Sequence, residues 1–98
     1  MIEAISQVGA ENLTVQEAAV SFAGRLGTNA LIFVANAPIR WRADGTAPTS
    51  TTGMFVAAGD YIDWTAVHGH YKSIMDQVQF IRDTSASGDA TLAIAYFE

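Results

Sequence analysis

Hydrophobic positions in this chain alternate far more often than they recur at helical spacing, and the alternating runs are short. Residues 30–35 read "ALIFVA", a β-branched and aromatic run bounded by Gly27-Thr28-Asn29 and Asn36-Ala37-Pro38, and this pattern predicts a strand. Pro38 has no amide to donate and suits the start of the next strand or a sheet edge. Beyond it Ile39, Trp41 and Ala43 fall on one face while Arg40 and Arg42 fall on the other. Asp44-Gly45 is a turn signal. Met54 to Ala58 and Tyr61 to Ala66 predict two further short strands around Ala58-Gly59-Asp60, and Gln77 to Asp83 another, with Val78 and Phe80 on one face. Ser85 to Asp89 is a loop. Thr91 to Phe97 closes the pattern with Leu92, Ile94 and Tyr96 facing inward and Ala93, Ala95 and Phe97 outward.

Strands at a spacing of about ten residues with turn chemistry between them indicate an antiparallel sandwich or barrel. The expectation is an all-β chain: a single antiparallel β-sandwich, Ig-like or jelly-roll-like, of about 7–8 short strands, occupying residues 1–98 as one domain. Residues 14–27 fit two patterns. Thr14-Val15-Gln16-Glu17 matches a capping box, with Ala18, Ala19, Phe22, Ala23 and Leu26 as a helical stripe ending at Gly27. The alternative, preferred because the rest is β, takes Leu13–Val15 and Val20–Phe22 as paired strand segments. A short helical turn is expected near residues 71–75.

Composition narrows the function. The 98 residues include no cysteine, so disulfides, thiolate metal ligands and cysteine nucleophiles are excluded. Lys and Arg number 5 against 10 Asp and Glu, a formal charge of −5, and the positive residues are scattered, which argues against nucleic acid as a partner. The uncharged stretch between Arg25 and Arg40 is shorter than the roughly 20 apolar residues of a membrane-spanning helix. The opening Met1-Ile2-Glu3 has no basic or hydrophobic leader region, so no secretory signal is expected. Charged residues make up 15%, against about 25% in an ordinary domain, while hydrophobic residues reach 50%. A small domain this apolar is expected to cover part of its surface with another subunit, so self-association is anticipated.

Little suggests catalysis. His68 and His70 form H-x-H, with Asp60, Asp63 or Asp76 as a potential third ligand, but glycine between them favours a loop, and neither metal nor cofactor is expected. There is no G-x-S-x-G elbow and no G-x-x-x-x-G-K-[ST] loop. No catalytic residues are assigned, and the expected class is non-enzymatic. Trp41 fits the core. Trp64 and Tyr61, with the loop through His68, His70 and Tyr71, would form a surface aromatic contact if exposed.

The segments "APIRWRADGTAPTSTTG", "GDYIDW" and "DQVQFIRD…GDATLAIAYF" resemble small proteins encoded in the virion-structure modules of tailed bacteriophages. Those carry an A-P-[IV]-R-[WYF]-R turn, D-G-T-x-P-T, a glycine, and a closing F-I-R…A-T-L-x-[VI]-x-Y hairpin. The matching positions here are Ala37–Arg42, Asp44–Thr49, Gly53, Phe80–Arg82 and Ala90–Tyr96. The resemblance implies a β-sandwich virion component, a head decoration or cement protein, with the major capsid protein or other virion proteins as partner and the virion, assembled in host cytoplasm, as location. The chain departs from the pattern in the insertion Val67 to Met75. The D-G-T-x-P-T turn also resembles the β-sandwich repeat at the C-terminus of chitobiase-like glycosidases, where it is structural. Partner contacts are expected at Arg40, Arg42, Thr49, Thr51, Thr52 and Phe97. Arg40 and Arg42 reach either a neighbouring subunit or carboxylates of the same chain, with Asp60, Asp63 and Asp83 as candidates. The threonine run is expected to cross the surface as an extended segment. The alternative function is a carbohydrate- or host-surface-binding module of a phage tail or bacterial surface protein.

Overall fold

A computed structural model describes residues 7–66 and 71–98. Seven strands and one short helix follow in the order β1 (Gln7–Val15), β2 (Asn29–Ala35), β3 (Ile39–Arg42), β4 (Met54–Val56), β5 (Tyr61–Trp64), α1 (Lys72–Gln77), β6 (Gln79–Arg82) and β7 (Ala90–Phe97). They form two antiparallel sheets, one ordered β1-β7-β2-β5 and the other β4-β3-β6. The sheets pack face to face as an all-β sandwich.

Alternation makes the core. From the larger sheet come Val15, Ala30, Ile32, Val34, Ile62, Trp64, Leu92, Ile94 and Tyr96, and from the smaller Ile39 and Phe80, all buried. Half-buried Trp41 meets Trp64 edge to face across the sheets, with ring centroids 5.3 Å apart and planes at 84°. This contact joins β3 to β5, with Trp64 in the interior and Trp41 packed partly over it. The expectation that Trp64 lines an exposed aromatic contact is corrected: only 7% of it is exposed, because its strand neighbour Ile62 faces the same core.

The segment between β1 and β2 forms no helix. Thr14 cannot cap one, because it lies within β1 opposite Thr91. The strand alternative is corrected too: Val20 bridges Phe80 rather than pairing with Leu13–Val15, which belong to β1. Val20 exchanges both backbone bonds with Phe80, at 2.8 and 2.9 Å, and Phe22 packs edge-on against the rings of Phe80 and Tyr96 at 5.4 and 5.5 Å. A helix would turn these groups onto its own backbone and lose the contacts. Tyr96, fully buried, donates its hydroxyl to the Glu11 carboxylate, which also accepts the Gly24 amide at 3.1 Å. Burial first, and the Glu11 carboxylate second, push the Tyr96 phenol well above its ordinary value, so it stays a donor. β1 begins at Gln7, earlier than the alternating pattern indicates, and its partner is β7.

Helix α1 confirms the helical turn expected near 71–75, displaced by two residues at its end. Met75 is its buried residue, and Asp76 on its outer side accepts from Lys72 at 2.7 Å and from Arg25.

The tryptophan contact gives a stability prediction. Trp64→Ala should cost about 3–5 kcal/mol, as removal of a buried aromatic does, and Trp41→Ala less, since part of its ring is already in water. In a double-mutant cycle by urea denaturation the two should couple by about 0.5–1.5 kcal/mol. Additive effects would show that the rings do not interact.

Candidate functional site

The sandwich has two outer faces, and they differ in chemistry. On the outer side of β3, Arg40 and Arg42 point away from Trp41 as the alternation requires. Arg40 donates through Nε to Asp83 Oδ1 at 2.6 Å and through Nη1 to the Gly53 carbonyl at 3.0 Å, and its guanidinium lies 5.5 Å from the centre of the Phe55 ring. Asp83 is the one buried charged residue of the described chain. Its other oxygen accepts the Ser85 amide at 2.8 Å and the Ser85 hydroxyl at 2.6 Å. Those two bonds, with Arg40 adding to them, hold the Asp83 carboxyl down at about 2, from an ordinary value of 3.8. Of the three carboxylates expected to receive Arg40 or Arg42, only Asp83 does. Arg42 turns instead to Asp44, at 2.5 Å. Asp44 is lowered by Arg42 and by the Thr46 amide, which it also accepts.

The threonine run is a closed turn, not an extended segment. Thr49 and Thr52 exchange backbone bonds at 3.1 and 3.2 Å, and their hydroxyls lie 2.7 Å apart. Thr51 donates its amide to the Thr49 hydroxyl at 3.4 Å. Reciprocal bonds of this kind give the polar run a local solution that an extended chain would lack. Pro48 is buried beside it, and the Ser50 carbonyl accepts the Thr84 amide at 2.9 Å. Segments 48–53 and 83–86 thus fold over the outer side of the smaller sheet, leaving Ile81 only 8% exposed.

The outer side of the larger sheet is open. β7 places Thr91, Ala93 and Ala95 there, β2 places Leu31, Phe33 and Ala35, β1 places Ala10, Asn12 and Thr14, and β5 places Tyr61 and Asp63. The register aligns Ala10–Ala95–Leu31–Asp63 in one cross-strand row and Asn12–Ala93–Phe33–Tyr61 in the next. Alanines therefore floor a shallow depression of about 330 Å³, and Leu31, Phe33 and Tyr61 stand along one side of it. Phe33 and Tyr61 pack at 4.9 Å, and Tyr61 is 61% exposed. Asp63, tied to Thr65, is the one charged side chain that these outer positions carry.

The residues singled out from the sequence do not converge. Arg40, Arg42, Thr49, Thr51 and Thr52 lie on the clasped face. Tyr61 and Phe97 lie on the opposite, open one, where Phe97 is half-buried opposite Asn29 and Gln7. Trp64 is in the core, and Tyr71 is half-buried against it. His68 and His70 lie outside the described residues. Among the described residues no three His, Cys, Asp or Glu side chains gather as metal ligands would. Leu31, Phe33 and Ala10 were not singled out as contacts, although apolar residues at successive positions in "ALIFVA" signal a strand apolar on both faces. Compared with protein-family models, curated proteins and solved structures, the chain finds no match.

The Asp83 carboxyl is lower in the folded chain than in the unfolded one, so its contribution to stability is present above about pH 4 and is lost as pH falls toward 2. Thermal melting followed from neutral pH downward should show this loss in the native chain. Asp83→Asn should melt lower at neutral pH and lack that part of the acid-dependent fall. Parallel melting curves for the two chains across this range would assign the acid sensitivity to other carboxylates.

Proposed function

We propose that the protein is a non-enzymatic structural component that attaches to a larger assembly through the open outer face of its four-stranded sheet. The observation that carries this reading is the alanine-floored depression beside Leu31, Phe33 and Tyr61, lined by one charged residue, Glu11, which is bonded to Tyr96 and Gly24. Apolar area of this kind gains by being covered, at roughly 25 cal/mol per Å² removed from water. A floor of alanines also lets a partner's side chains approach the backbone closely. The resemblance of residues 37–53 and 80–96 to tailed-phage virion proteins supports a phage particle as that assembly. On that basis the protein is a decoration or cement protein of the head, bound to the major capsid protein or to another virion protein.

A glycan-binding module is the weaker reading. Its aromatic platform needed Trp64 beside Tyr61, and Trp64 is buried. The clasped arginine face also fits assembly poorly, because both arginine forks already have carboxylate partners within the chain.

Ala93→Arg is the direct test, since Ala93 is exposed and its side chain touches none of the core. The variant should melt within about 3 °C of the native chain, a change of well under 1 kcal/mol for a domain this size. Its occupancy on purified heads should fall by about tenfold or more, as expected when a charge enters the centre of a contact. Arg42→Ser should leave occupancy unchanged. If Ala93→Arg binds as the native chain does, the outer face is not the docking surface.

A further inference from the structure

The two edges of the smaller sheet are finished differently. Along β6 the crossover segment takes up the outward backbone groups: Phe80 and Val20 exchange both their bonds, and the Arg82 amide donates to the Gln16 carbonyl at 3.0 Å. Along β4 no described segment pairs on the outer side. Strand alternation identifies which groups are left open there. Phe80 and Arg82 turn outward, so Gln79 and Ile81 bond to Arg42 and Arg40 of β3. Ile39 and Trp41 must then bond to Val56 and Met54. The amide and carbonyl of Phe55 consequently point out of the sheet.

The side chains around this edge are apolar and uncovered. Met54 is 60% exposed and Phe55 51%. No charged residue occurs from Gly45 to Gly59, and no proline from Gly53 onward in that stretch. Lys and Pro are the residues that commonly protect an edge from strand addition. The edge is short because the chain turns away at both ends, at Gly53, whose φ is +122°, and at Ala57, whose carbonyl accepts the Asp60 amide at 3.1 Å.

We infer that β4 is a homotypic contact, pairing antiparallel with β4 of a second copy about a two-fold axis through Phe55. A strand of three residues turned away at each end fits another equally short strand, and its own copy supplies one. Centring the axis on Phe55 satisfies the open amide and carbonyl of both copies at once. The two Phe55 rings then lie side by side on the outer face, each flanked by its own Arg40, and Met54 of each copy covers Val56 of the other. Charge agrees with this arrangement. Two chains of net charge −5 would meet along a strand that carries no charge of its own, with the nearby Asp44 and Asp83 carboxylates each already paired to an arginine. The capped β6 edge prevents the same sheet from extending, so the contact closes at two copies. This inference is independent of what the open face of the larger sheet binds.

Sedimentation equilibrium of the full chain tests it, with loading from about 10 µM to about 1 mM because the contact is small and its dissociation constant should fall in that range. The native chain should show a monomer–dimer equilibrium without larger species. Phe55→Pro removes the outward amide while leaving the bonds to β3 intact, and should weaken dimerisation by about tenfold or more, with Phe55→Lys doing the same. Thermal melting of each variant shows that the fold is retained. Tyr61→Lys, on the other sheet, should dimerise as the native chain does. A native chain that stays monomeric to about 1 mM, species larger than a dimer, folded Phe55 variants that dimerise unchanged, or loss of the dimer in Tyr61→Lys would each overturn the inference.

Discussion

The fold depends on how β7 resolves an ambiguity in its own sequence. Both faces of "ATLAIAYF" are apolar, so hydrophobicity alone specifies its register weakly, and a one-residue slip would exchange the faces. Size breaks the tie. Leu92, Ile94 and Tyr96 fill the space between the sheets, whereas Ala93 and Ala95 could not, and the loss of packing would cost several kcal/mol. Tyr96 adds a directional constraint by donating to Glu11. Because β7 is flanked by β1 and β2, its register sets theirs. The segregation that puts large side chains inside leaves the alanines outside, so one strand both builds the core and floors the open face.

The arginines of "IRWRADG" are explained by the opposite sheet. Arg40 is held by Asp83 and by the Gly53 carbonyl, and Asp83 by Ser85 as well. A buried carboxylate must be paired and hydrogen-bonded to be tolerated, and here both oxygens are. The pair links β3 to the loop after β6, while the Thr49–Thr52 turn and the Ser50–Thr84 bond close the segment over Ile81. Polar residues that look like a tether in the sequence act as a clasp. Burying that side of the smaller sheet under its own loops leaves apolar surface open on the larger sheet and at the β4 edge.

Period-two alternation is enough to place β2, β3, β5 and β7, and on β3 and β7 to separate inward from outward residues, because it records the pleat directly. The 14–27 region is less legible. Its capping-box and stripe pattern is a local signal, and it was overridden by non-local bonds from Val20 to Phe80 and from Gly24 to Glu11 that no short window contains. β1 was missed over its first half because Gly9, Ala10 and Asn12 have weak strand preference, and the strand is held by pairing with β7. The threonine run misled for a related reason: low apolar content reports exposure, not extension. Trp64 could be assigned to the Ile62 face from sequence, but which face met the core could not. The open face was only partly visible, since its rows combine residues from four strands whose register exists only in the folded sheet.

We propose that the larger sheet's outer face, not the arginine face, is the docking surface. Cryo-electron microscopy of heads decorated with this protein, at a resolution that separates the two sheets, tests it most directly. Density should show the Ala93–Ala95 floor and the Phe33–Tyr61 ridge against the particle while Arg42 and the Thr49–Thr52 turn face solvent. A map with the clasp against the particle and the alanine floor facing solvent would contradict it.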